Sequence, residues 1–274
     1  MNVYFPPPDF WWTAWTFEPS IWLSIVILHG SYLLVVGPLR GMFGTSQPIT
    51  SKQLTYWTLG ILSLIVALIT PLSLLSDQYL FSAHMLQHIL LTLVAPPLML
   101  LGLPSWLFDP LKKYPALLDL ARALCNPFFA FAAFNVTFVA WHIPSLYNLA
   151  LYSPPVHLFE HFSVVATALL TWMPVLSPTK LIPRLPLPLQ VFYAFLQSII
   201  GTGLGGILTL AKEPIYLFYT QAPRIWGIPV LEDQVWAGLL MWVGAAMLWL
   251  VVLTFRFFRW FSAKGPIEGE HGFV

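Results

Sequence analysis

The chain has 274 residues, of which 58% are hydrophobic, 16% aromatic and only 8% charged, with a net charge of +1. A soluble domain carries about a quarter charged residues, so a water-facing shell is excluded, and a near-neutral chain offers no field for nucleic acid. A single cysteine, Cys125, excludes an internal disulfide framework and any Cys-x-x-Cys metal or redox motif.

What remains is an all-α integral membrane protein, because a span in lipid must satisfy its own backbone. In chain order, residues 1–19 are Pro-rich and aromatic, with Trp11, Trp12, Trp15 and Phe17. They lack a basic n-region, which points to an outer interfacial segment rather than a cleaved signal. Seven runs are then long enough to cross, at about 20 apolar residues each. They are Ser20–Gly37, Gln53–Leu75, Gln78–Leu103, Asn126–Ala150, Val156–Leu176, Pro188–Leu210 and Asp233–Phe258. The seven-helix domain therefore occupies residues 20–258, and a polar tail covers 259–274.

Several elements carry local signals. Pro96-Pro97 in the third run predicts a kink in its inner half. Gly201, Gly203, Gly205 and Gly206 in the sixth run follow no strand, so they read as a close helix contact rather than a dinucleotide loop. The Pro-, Tyr- and Trp-rich segment Ala211–Glu232 reads as an outer cap. Asp77 and Asp233 stand where the third and seventh helices begin and read as N-caps, with a secondary role in attracting a cation.

Arg40, Lys52, Lys112, Lys113, Arg122, Lys180, Arg184, Arg256, Arg259 and Lys264 fall on one side of this topology, against Lys212 and Arg224 on the other. By the positive-inside rule the rich side is cytoplasmic, so the N-terminus is outside and the C-terminus inside.

Ionisable side chains inside a bilayer are costly and by default mark function. Of seven histidines only His271 lies beyond the runs, in the tail. At about 1.5 Å per residue, His84 lies about 9 Å and His88 about 15 Å below the outer end of the third run. His142 comes to about 9 Å, His157 to about 2 Å, His161 to about 8 Å and His29 to about 14 Å. All six share the outer half.

His84 and His88, and His157 and His161, are i, i+4 pairs with both imidazoles on one helix face. Two facing pairs with His142 nearby supply nitrogen ligands for one or two ions. Imidazole suits Cu, Zn, Fe and Ni, and neutral metal-bound rings fit a low-dielectric place. For His29 alone, a hydrogen bond between helices is the plainer reading. Glu160, inside His157-Leu158-Phe159-Glu160-His161, matches the H-x-x-E-H of inverted zinc peptidases. The favoured reading makes it an acceptor orienting a ligating histidine, or an outer surface charge. Met241, about 10 Å into the seventh run, lies at a depth for a thioether ligand, although core packing explains a single Met more simply.

The run His84-Met85-Leu86-Gln87-His88-Ile89-Leu90-Leu91, continuing to Ala95-Pro96-Pro97-Leu98, resembles the multi-spanning CtaG family of cytochrome c oxidase assembly factors. So do Trp141-His142, His157 and His161 leading to Trp172-Met173-Pro174-Val175, and Asp233-Gln234 followed by Ala237-Gly238 and Met241-Trp242. Many relatives have an aromatic where Met173 stands, a departure that touches packing on the cytoplasmic side. The resemblance implies a plasma-membrane protein that helps form the copper centre in the catalytic subunit of a haem–copper oxidase. Copper is inherited from the resemblance; His spacing supports a metal without choosing one.

The expected role is a non-enzymatic chaperone, multi-pass in the lipid bilayer, binding no nucleic acid and open to homo-oligomer formation. It would hold metal at His84, His88, His142, His157, His161 and His29, with Glu160, Asp77, Asp233 and Met241 as accessory groups. The rival class is a haem-binding electron carrier with axial ligands such as His84 and His161. A copper transporter would need ligands continuing into the inner half. A purely structural escort would not need the histidines at all.

Overall fold

Proline sets most helix starts in the computed structural model, which describes residues 13–43 and 47–263. Its missing amide costs nothing in a first turn and its φ is already helical. Thus α1 (Pro19–Val36), α3 (Pro71–Gln78), α5 (Pro115–Leu124), α6 (Pro127–Trp141), α7 (Pro144–Tyr152) and α8 (Pro154–Leu176) all open on proline. The others are α2 (Ser51–Leu68), α4 (Phe81–Gly102), α9 (Leu187–Leu210), the single turn α10 (Leu217–Gln221) and α11 (Val230–Ser262). Among the described residues there is no strand. Trp11, Trp12, Lys264 and His271 lie outside them.

The helices α1, α4, α8, α9 and α11 are each long and apolar enough to cross a membrane. The pairs α2 with α3 and α5 with α6 pass that test only together, bent by 47° and 58°. The count is therefore five, or up to seven with each bent pair as one span. Large apolar side chains point outward along these helices, among them Val26, Val136, Phe162, Phe192 and Val251, all more than half exposed. That is the surface a bilayer would solvate.

The breaks differ from the expected runs. Gln53–Leu75 divides at Ile69-Thr70, where Thr70 takes an extended ψ of 170° before Pro71. The third helix then starts at Phe81 rather than Gln78, so Asp77 closes α3 instead of opening α4. Asn126–Ala150 divides at His142-Ile143, because Pro144 cannot donate to the helix behind it. α11 starts at Val230, with Asp233 in its first turn rather than at its cap.

Two helix contacts set the packing. Gly205 of α9 and Gly238 of α11 bring their backbones together, since a Cβ on Gly205 would lie 2.7 Å from the Gly238 carbonyl oxygen. Gly203 faces open space, so the expected contact belongs to Gly205 rather than to the whole glycine run. On the other flank, Tyr32 of α1 stacks on Trp57 of α2 with ring centroids 4.1 Å apart.

Pro96-Pro97 does not break α4, which runs through it. The misfit is taken up just before, in a π turn at Leu90–Val94. Pro96 leaves the Thr92 carbonyl without its helical donor, and the Trp172 indole Nε1–H donates to that oxygen at 2.9 Å. Lower in the bundle, Asn135, Gln197, Thr171 and Tyr193 hydrogen-bond to one another and so need no water.

Candidate metal centre

The site lies at the Phe81 end of α4, where four elements converge. One helical turn separates His84 from His88 on α4 and His157 from His161 on α8, and each pair has ring centroids 4.3 Å apart. The pairs face each other, with centroids 5.8 Å apart for His84 and His157 and for His88 and His161. His142 reaches them from the C-terminal end of α6, 6.4 Å from His88. Proline creates this fifth position: the helix ends at His142 because Pro144 follows.

Glu160 is neither on the surface nor behind the histidines. It is 1% exposed, and its Oε1 lies 3.5 Å from His88 Nε2 and 3.7 Å from His84 Nε2. Neither of its oxygens receives a hydrogen bond, and both nitrogens of His84 and of His88 are likewise buried without partners. An unpaired buried carboxylate facing unpaired imidazoles is costly unless a cation joins them. Ligands about 2.0–2.1 Å from one tetrahedral ion stand about 3.3–3.4 Å apart, so little movement would close this set on a metal. Glu160 thus sits among the candidate ligands, a placement its sequence position did not reveal.

His142 shows how a ligand is prepared. Its Nδ1 lies 2.7 Å from the Phe138 carbonyl oxygen, which can only accept, so Nδ1 carries the proton. The lone pair of the neutral ring is then on Nε2, which is buried and unpartnered. His161 Nε2 and His157 Nε2 are also unpartnered.

Asp77 and Asp233 hold different places. The Asp77 carboxylate accepts from Ser76 Oγ at 2.6 Å and Ser73 Oγ at 3.3 Å, and its Oδ1 stands 3.8 Å from His157 Nε2. Asp233 caps a helix, but not its own: it accepts from the amides of Phe81 at 2.7 Å and Ser82 at 3.0 Å, and from Ser82 Oγ at 2.6 Å. It fixes the start of α4 one turn above His84. Met241 is buried and shares with Met85 and His88 a cavity of about 40 Å³. His29 lies on α1 and makes no ring contact with the other five histidines; its Nδ1 is buried without a partner.

A tyrosine roof went unread in the sequence. Tyr216 donates to the His142 carbonyl at 2.9 Å, Tyr219 to the Ser76 carbonyl at 2.9 Å, and the Tyr147 and Tyr219 hydroxyls are 3.1 Å apart. The Tyr147 ring lies 5.2 Å from that of His84. Burial holds the Tyr219 hydroxyl well above its usual range, so it stays a neutral donor. The segment expected as a cap therefore folds down onto the cluster, pinned by Gln234 accepting from Ile215 N and braced within itself by Arg224 donating to the Tyr219 carbonyl. The clustered tyrosines of Tyr216-Leu217-Phe218-Tyr219 were the only signal available.

Fold and site together define a helical membrane protein with a buried histidine–carboxylate cluster at one end of its bundle. Among family models, that of the cytochrome c oxidase caa3 assembly factor (Caa3_CtaG) matches residues 30–263. The chain belongs to this family. No curated protein and no solved structure matches the chain.

Proposed function

We propose that this assembly factor binds a copper ion between His84, His88 and Glu160, with His142 and His161 as further donors, and hands it to the catalytic subunit of a haem–copper oxidase. The observation that carries the reading is Glu160: a buried carboxylate without hydrogen bonds, 3.5 and 3.7 Å from two unpartnered imidazoles. Two neutral rings and one carboxylate suit a divalent ion, and a role in assembling an oxidase is what supports copper as that ion. Handing over proceeds by ligand exchange, since neutral imidazoles leave one at a time without exposing a bare charge. No turnover chemistry is required, and the bacterial plasma membrane is where such an oxidase would be met.

The packing favours an ion over haem. A macrocycle between His84 and His161, whose centroids are 6.3 Å apart, would displace the His88 and His157 rings that pack against them.

The test is metal content. Wild type purified from copper-replete cells is expected to carry copper by mass spectrometry, and a His84→Ala/His88→Ala variant to lose it along with support of oxidase assembly. Equal, negligible copper in both overturns the proposal, and an intense Soret band in the purified wild type would favour haem.

A further inference from the structure

We propose that Asp77 and His157 form a capture position at the mouth of the site, from which a metal ion passes inward through His84 to the buried position. The inference rests on the metal-binding reading above and adds a path and a direction to it. Among the described residues, two groups of donors lie close enough to hold an ion: Asp77, His84 and His157, and His84, His88 and Glu160, with the donor atoms in each group within 4.8 Å of one another. His84 is the one side chain common to both.

The two positions differ in access. The Asp77 and His157 side chains are 29% and 16% exposed, whereas His84 and Glu160 are at 0% and 1%. Asp77, His157 and His161 line a cleft of about 600 Å³ together with Gln78 and Glu18. Among the described residues, two carboxylates and no Lys or Arg line this cleft, so it attracts cations. The cleft gives a hydrated ion room to approach, and the serine hydroxyls on Asp77 hold its carboxylate in place while Oδ1 faces His157.

The chemistry of transfer follows from the donor sets. Each position offers one carboxylate and two imidazoles, so an ion moving between them meets the same formal charge. A neutral imidazole has one lone pair, so His84 serves one position at a time. The ion exchanges Asp77 and His157 for Glu160 and His88 while staying within reach of His84. The inner position also has His161 and His142 beside His88, at 5.8 and 6.4 Å between rings. Its larger donor set and lower effective dielectric, where the ion–carboxylate attraction is stronger, make inward transfer downhill.

The experiment follows capture rather than oxidase activity. The purified full chain is mixed with Cu(II) supplied as its glycine complex, loading is read by stopped-flow quenching of tryptophan fluorescence, and the final stoichiometry by mass spectrometry. Asp77→Asn is expected to slow loading tenfold or more while binding as much copper at equilibrium as wild type, and His157→Gln to slow loading to a similar degree. Glu160→Gln is expected to lower retention instead. Wild-type loading rates in both Asp77→Asn and His157→Gln overturn the relay and leave the inner site standing. A lower equilibrium stoichiometry in Asp77→Asn also overturns it, by making Asp77 a ligand of the stored ion. If wild type takes up no Cu(II), the metal-binding reading itself falls.

Discussion

At the scale of single residues, Glu160 separates a metal site from a packed histidine cluster. A structural carboxylate in a buried interior would accept hydrogen bonds from the protein, and this one accepts none from any protein group. Replacing it by the neutral amide of the same shape removes an unpaired charge, so Glu160→Gln is expected to leave the unfolding temperature of the metal-free protein unchanged or raise it. Copper affinity, measured by competition with a chelator of known strength, is expected to fall tenfold or more. Loss of stability with intact affinity would make Glu160 a scaffold group. The direction of its side chain was not legible in the sequence, because H-x-x-E-H spacing leaves it open whether the Glu faces lipid, water or the histidines. His29 shows the converse. Its depth matched that of His88, but the order of helices around a bundle is a long-range property, and α1 stands against α2 on the far flank.

At the scale of elements, prolines that looked like interruptions are what build the site. Pro71 and Pro144 divide two apolar runs: Pro71 opens the short helix whose last turn carries Asp77, and Pro144 ends the helix whose C-terminus presents His142. Five of the runs were legible because about 20 apolar residues are hard to mistake; the two that break were not, since proline also occurs within transmembrane helices when neighbours satisfy the freed carbonyl. Pro96 is such a case, relieved by Trp172. The i, i+4 histidine pairs were fully legible, being set by helix geometry alone. Asp233 shows what spacing cannot convey: an acidic residue in a first turn reads as a cap for its own helix, yet its carboxylate satisfies Phe81 and Ser82, about 150 positions earlier. Asp233→Ala strands two amides and a hydroxyl, and is expected to cost about 1–3 kcal/mol, read as a lower unfolding temperature in detergent. An unchanged melt would show that α4 starts without this cap.

At the scale of the whole molecule, a group of basic residues and the histidine cluster mark opposite ends. Lys112, Lys180 and Arg184 line one cleft, and Arg256 and Arg259 lie near Arg184. The cluster and its tyrosine roof sit where α4 begins, and Ser105–Lys113 follows its other end. We propose from the positive-inside rule that the basic end faces the cytoplasm and that the Asp77 cleft opens to the outside. The two ends can be labelled separately. In a Cys125→Ser background, Thr220→Cys on the roof and Lys113→Cys at the basic end are both exposed positions. A membrane-impermeant maleimide added to intact cells is expected to label Thr220→Cys, and to reach Lys113→Cys only after permeabilisation. The reverse pattern would turn the capture cleft toward the cytoplasm, and copper would then have to be supplied from the cell interior. The same set of side chains would remain, but the direction of traffic through His84 would run from the cytoplasmic pool, which makes this labelling the measurement that ties the site to its source of metal.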